Sequence, residues 1–190
     1  LSDPATYCRM RVTDRFTLRP GRQRVEGFTL RGARYVLFQL DGAQTTPAPR
    51  FQVVTQTYPL VERPLPDLGP RLNGVAEICR STLLAFLSHG FVDSVWREAS
   101  QWLGDVVPMA HALLSLSDDP RPLRFALMMA AQGAEANGFL PSILEGEVPA
   151  YQVTDYTFAW VELLHLYARH PGAADGAQVV AELWSSLTRL

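Results

Sequence analysis

The densest chemistry in the chain lies between Ser88 and Asp105. Three carboxylates (Asp93, Glu98 and Asp105), the guanidinium of Arg97 and the indoles of Trp96 and Trp102 fall within thirteen residues. The chain as a whole is only 19% charged, so the density is local. Carboxylates accept hydrogen bonds from sugar hydroxyls, and an indole packs on the apolar C–H face of a pyranose. A carboxyl kept protonated by neighbouring acids and apolar rings can serve as a general acid. Arg97, adjacent to Glu98, favours the ionised form instead. A plainer reading is a surface loop that ends in a helix N-cap at Asp105, where the helix dipole favours an acid. Residue types alone leave both readings open.

These residues must be positioned by the elements around them, and the chain changes period partway along. Tyr7–Val12, Ala33–Leu40 and Phe51–Tyr58 are β-rich and alternating, with turn signals at Arg19-Pro20-Gly21, Arg31-Gly32, Asp41-Gly42 and Pro47-Ala48-Pro49. Short strands punctuated by Gly and Pro predict part of an antiparallel β-sandwich over residues 1–60. Pro59, Pro64, Pro66 and Pro70 mark a stiff linker, placed at 61–71. A helical period begins at Leu72 and continues through Val75, Cys79, Leu83, Phe86 and Leu87. Further helices are predicted over 105–117, 121–135, 155–169 and 175–189. Thr154 or Asp155 is the expected cap of the fourth helix, and Pro171-Gly172 its stop. The expected fold class is therefore α+β: a sandwich portion, then α-helical hairpins over 72–190. The two long connections, 89–104 and 136–153, are where function is expected.

Composition removes several function classes. The 190 residues are 47% hydrophobic, as a folded chain requires, and no apolar run is long enough to span a membrane. Leu1-Ser2-Asp3-Pro4 has neither an initiator Met nor a signal-peptide pattern, so the chain is read as cytoplasmic and as starting inside a longer product. Cys8 and Cys79 form no CxxC pair, which excludes a disulfide framework. Residues 1–50 hold nine Arg against four acids, and 51–190 hold eight against fifteen. The basic half reads as solvated strand faces with few aromatics interleaved, so no nucleic-acid partner is expected. The four His are scattered, with only His89 near the acidic loop, and neither a metal site nor a cofactor is expected. No Gly-x-Ser-x-Gly and no Gly-rich phosphate loop occurs. Met128, Met129 and Trp184 read as helix core.

The segment Asp93-x-x-x-Arg97-Glu98-x-x-x-Trp102-x-Gly104-Asp105 resembles the signature loop of bacterial α-L-rhamnosidases. These are inverting glycoside hydrolases with a six-hairpin α/α barrel and β-sandwich domains. The resemblance runs colinearly over about residues 30–170. Gly32-Ala33-Arg34-Tyr35-Val36 looks like a strand of the preceding sandwich, and Leu72-Asn73 like the opening of the barrel. Gly138-Phe139-Leu140-Pro141 and Asp155-Tyr156-x-x-x-Trp160 resemble a later barrel segment. The family commonly carries Cys-Pro after the first Asp, where this chain has Ser94-Val95.

By position, the resemblance implies that Glu98 is the general acid. It makes Asp93 and Asp105 carboxylates that hold rhamnose hydroxyls. Arg97 and Trp102 would shape the same pocket, and Asp155 and Trp160 would join it, although Trp160 also reads as helix core. Inversion requires a second carboxyl roughly 6.5–9.5 Å away to activate water. By resemblance this base lies on a later hairpin, beyond Leu190, and Glu145 and Glu147 are the nearby loop acids. The expectation is a partial barrel that hydrolyses rhamnosides poorly by itself and either self-associates or belongs to a longer chain. A non-catalytic sugar-binding remnant and another six-hairpin glycosidase are the alternatives.

Overall fold

The computed structural model describes residues 13–27, 32–42, 50–94, 99–144 and 152–189. Five helices carry the fold: α1 (Pro70–Phe86), α2 (Val106–Leu116), α3 (Arg121–Gln132), α4 (Thr154–Arg169) and α5 (Gly176–Leu187). Each lies where the apolar period predicts one. Gly69, at φ 82°, turns the linker into Pro70, whose fixed φ suits the first helical turn. The cap expected on α4 differs. Val153 holds the N-cap position, Thr154 is already helical, and Asp155 lies in the first turn, where it still favours the dipole.

Helix α4 is the centre of the unit and packs on α2, α3 and α5, while α1 packs on α2. Trp160 is 0% exposed, and its indole N–H donates to Leu127 O at 3.1 Å. Leu113, Leu123, Leu163 and Val179 close the same core. Trp184 departs from the core position its spacing suggests and is 56% exposed. Helix α5 buries Val179, Leu183 and Ser186, so Trp184 lies about 100° round the helix from Leu183.

The β-sandwich expected over 1–60 is overturned. Strand pairing among the described residues consists of β1 (Gln101–Trp102) against β2 (Ile143–Leu144) and an isolated bridge, Leu87–Phe91. None of it lies in the N-terminal sixty residues, so the fold described is helical. Residues 33–42 and 50–57 meet through the Phe38–Phe51 ring pair at 5.4 Å, but no ladder joins them. Tyr35 and Leu37 are 84% and 91% exposed. Alternation supplies β propensity, but a pair of strands with no covered apolar face is marginal in water. The residues Tyr7–Val12 and the turn at Pro47-Ala48-Pro49 lie outside the described residues.

From Tyr58 onward the linker is fastened to the helices. Tyr58 N–H donates to Leu87 O at 2.8 Å, Arg63 N–H to Leu116 O at 2.6 Å, and Ser117 Oγ to Val61 O at 2.8 Å. The Tyr58 phenol donates to Asp119 Oδ2 at 2.9 Å, and Arg121 Nε to Asp119 Oδ1 at 2.7 Å. Arg121 above all, with help from the Tyr58 phenol, holds the Asp119 carboxyl down at about 2. Among the described residues no helix is long and apolar enough to cross a membrane.

At the far end of α4, the Tyr167 phenol donates to Asp175 Oδ1 at 2.5 Å, and Arg124 Nε to Asp175 Oδ2 at 3.0 Å, joining α3, α4 and the start of α5. Burial and the Asp175 bond push the Tyr167 phenol up to about 12. A raised folded value means the unfolded chain ionises first. Stability from this group is complete below pH 10 and is lost as pH rises toward about 12. Urea midpoints should therefore fall across that window, and Tyr167→Phe should flatten part of the fall. An unchanged slope in the variant would contradict this role.

Candidate functional site

The acidic loop leaves the core at Phe91 and returns through β1. Phe91 N–H donates to the buried Gln101 Oε1 at 2.7 Å, and this donor assigns the oxygen side of the amide. Asp93 N–H donates to Ser100 O at 2.8 Å, and Ala99 N–H to Ser94 O at 2.6 Å, so the two limbs are pinned together. Ala99 has φ 48°, a left-handed conformation that L side chains adopt at a cost. Arg97 and Glu98 lie outside the described residues, as do Glu145 and Glu147.

The second long connection holds the first in place. Gln101 pairs with Leu144 and Trp102 with Ile143. Leu103 N–H donates to Ser142 O at 2.8 Å, and Ser142 Oγ in turn accepts from Val153 N–H. The chain from Trp102 to Asp105 is thereby set beside the first turn of α4, across about fifty residues of sequence.

The site forms at that junction. The Tyr156 phenol donates to Asp105 Oδ2 at 3.1 Å. Its ring meets Trp102 edge to face, with centroids 6.2 Å apart and planes at 84°. Gly104 is pressed against the ring, and a Cβ there would overlap three ring carbons. Burial first, then the Asp105 bond, and then the charges of Asp105, Asp155 and Asp93 push the Tyr156 phenol above its ordinary value. Three carboxylates taken from the sequence as separate candidates thus act on one phenol. Asp93, Trp102 and Asp105 are half-buried, and Asp155 is exposed.

Asp105 holds the N-cap position of α2, as the plainer sequence reading expects, but makes no side-chain cap bond. Local sequence explains this. An N-cap side chain normally accepts from the second or third helical N–H. Here the third helical residue is Pro108, which has no N–H, and the second, Val107, donates to Gly104 O at 3.2 Å. The carboxylate is left to accept from Tyr156.

Trp160 is not with this group. It lies in the helix core, four residues along α4 from Tyr156. His89 is exposed, and among the described residues no three His, Cys, Asp or Glu side chains are placed to hold a metal ion. Sequence reasoning passed over Tyr156 and Gly104 as site residues. The signal for both was Asp105-Val106-Val107-Pro108, a cap residue deprived of its usual partner.

Gly104→Ala should displace the Tyr156 ring and cost about 1–3 kcal/mol of stability, read as a lower urea midpoint. An unchanged midpoint would mean that the ring and loop separate freely. Comparison with protein-family models, with curated proteins and with solved structures finds no match to this chain.

Proposed function

We propose that the helical unit binds a terminal sugar, as the acid-bearing segment of an inverting, α-L-rhamnosidase-like glycoside hydrolase. The observation that supports this best is the Asp105 carboxylate bonded to the Tyr156 phenol beside the Trp102 indole, with the charges of Asp155 and Asp93 also acting on that phenol. A neutral sugar requires hydrogen-bond acceptors for its hydroxyls and an apolar ring for its C–H face, and this junction offers both. In this reading Asp93 and Asp105 accept from rhamnose hydroxyls, Trp102 packs on the pyranose and Asp155 stands at the rim. Glu98 is the general acid. That role rests on the resemblance of the Asp93–Asp105 segment, in which Glu98 stands at the acid's position. By the resemblance, Arg97 shapes the same sugar-binding region.

Hydrolysis with inversion consumes only water, so the reading calls for no cofactor. Glu98 protonates the glycosidic oxygen, and a second carboxyl at about 6.5–9.5 Å directs water to the opposite face. Asp93 and Asp105 are occupied with hydroxyls, so that base comes from another hairpin. The exposed free thiol of Cys79 suits a reducing, cytoplasmic setting.

Calorimetric titration with L-rhamnose tests the reading. Saturable heat is expected, weakened about tenfold or more in Asp93→Ala and in Trp102→Ala. The absence of heat, or variants that bind like the wild type, would overturn it. Equal binding of a panel of other sugars would point to a different six-hairpin carbohydrate enzyme.

A further inference from the structure

We infer that Tyr156 is a positioning residue of this site: its phenol aims the Asp105 carboxylate and its ring sets the tilt of Trp102. The inference rests on the sugar-binding reading above and extends it to a residue outside the Asp93–Asp105 motif.

Left to itself, the Asp105 carboxylate has no fixed direction. Pro108 removes the N–H it would ordinarily cap, and the Val107 N–H is taken by Gly104 O. A half-buried carboxylate with a free χ1 would sample several rotamers, and each hydroxyl it bound would have to order it first. The Tyr156 O–H, at 3.1 Å from Oδ2, selects one of them. The phenol is itself well anchored. Tyr156 lies in the first turn of α4, with its N–H on Val153 O at 3.1 Å, and Val153 N–H is bound by Ser142. One face of the ring is closed by the Gly104 backbone, where no side chain fits. The ring also meets Trp102 edge to face, so the indole that would carry the sugar and the carboxylate that would bind its hydroxyl take their orientation from one side chain.

The direction of the bond matters as well. A phenol donates to a carboxylate and so keeps Asp105 an acceptor, which is what sugar hydroxyls require. A phenolate would repel it. Among the described residues, the charged groups that act on Tyr156 are Asp105, Asp155 and Asp93, all acids, so each of them disfavours the phenolate.

The test is a double-mutant cycle on L-rhamnose affinity, using Tyr156→Phe, Asp105→Ala and the pair, with urea midpoints measured in parallel. Tyr156→Phe is expected to weaken L-rhamnose about tenfold while keeping the near-ultraviolet circular dichroism of the Trp102 contact. In the double variant, removal of the phenol should add almost nothing to the loss from Asp105→Ala, because the phenol acts through that carboxylate. Losses that simply add, or a Tyr156→Phe variant that binds like the wild type, would overturn the positioning role while leaving the sugar reading intact. A wild type that binds no L-rhamnose overturns both. The unaltered chain supplies a second measurement, independent of any folding defect in a variant. Its affinity for L-rhamnose should hold until the Tyr156 phenol ionises, above its ordinary value of 10, and fall as phenolate absorbance appears while far-ultraviolet circular dichroism still shows the helices formed. Affinity that stays level through that ionisation contradicts the role.

Discussion

Helix α4 is held near both ends by the same interaction, a tyrosine phenol donated to an aspartate at the N-cap position of a neighbouring helix. Tyr156 reaches Asp105 before α2, and Tyr167 reaches Asp175 before α5. Neither aspartate makes a side-chain cap bond. Apolar burial around Trp160, Leu127 and Leu163 supplies the bulk of the driving force, but it has no direction. The two phenol–carboxylate bonds do have direction, and they fix where along α4 its neighbours begin. The arrangement of the helices and the geometry of the candidate site therefore share one device.

At the Tyr156 end this device meets a second constraint. The short pairing of Gln101 and Trp102 with Leu144 and Ile143 ties the two long connections together, and Ser142 extends the tie to the start of α4. Each connection alone would be a loop free to move over the surface. Joined, they set Trp102, Gly104 and Asp105 against the single ring of Tyr156 in the first turn of α4. The left-handed backbone at Ala99, at the base of the loop, is the local strain accepted for that closure.

Much of the helical part was legible in the sequence, because a helix announces itself through a local period that burial enforces. The same rule misplaced Trp184, which shares a stripe with Val180 and Leu187 at the margin of the buried face. It also left Trp160 ambiguous, since an indole at helical spacing suits a core and a pocket equally. The N-terminal alternation was legible as β propensity only. A sandwich needs partner strands, and residue types along one strand do not say whether a partner is present. The acidic loop stood out through composition, whereas the junction that organises it did not. The contact of Asp105 with Tyr156 spans 51 residues and follows no period. Its one local trace is Pro108, which makes Asp105 a poor helix cap and releases it for another use.

Whether Asp93, Trp102, Asp105 and Asp155 serve one sugar is measured most directly by amide and indole nuclear magnetic resonance shifts during titration with L-rhamnose. The account predicts saturable shifts concentrated at Asp93, the Trp102 indole, Gly104, Asp105 and the first turn of α4, with the core around Trp160 and Leu163 unmoved. Shifts that are absent, or that gather elsewhere on the helices while this junction stays still, would contradict it.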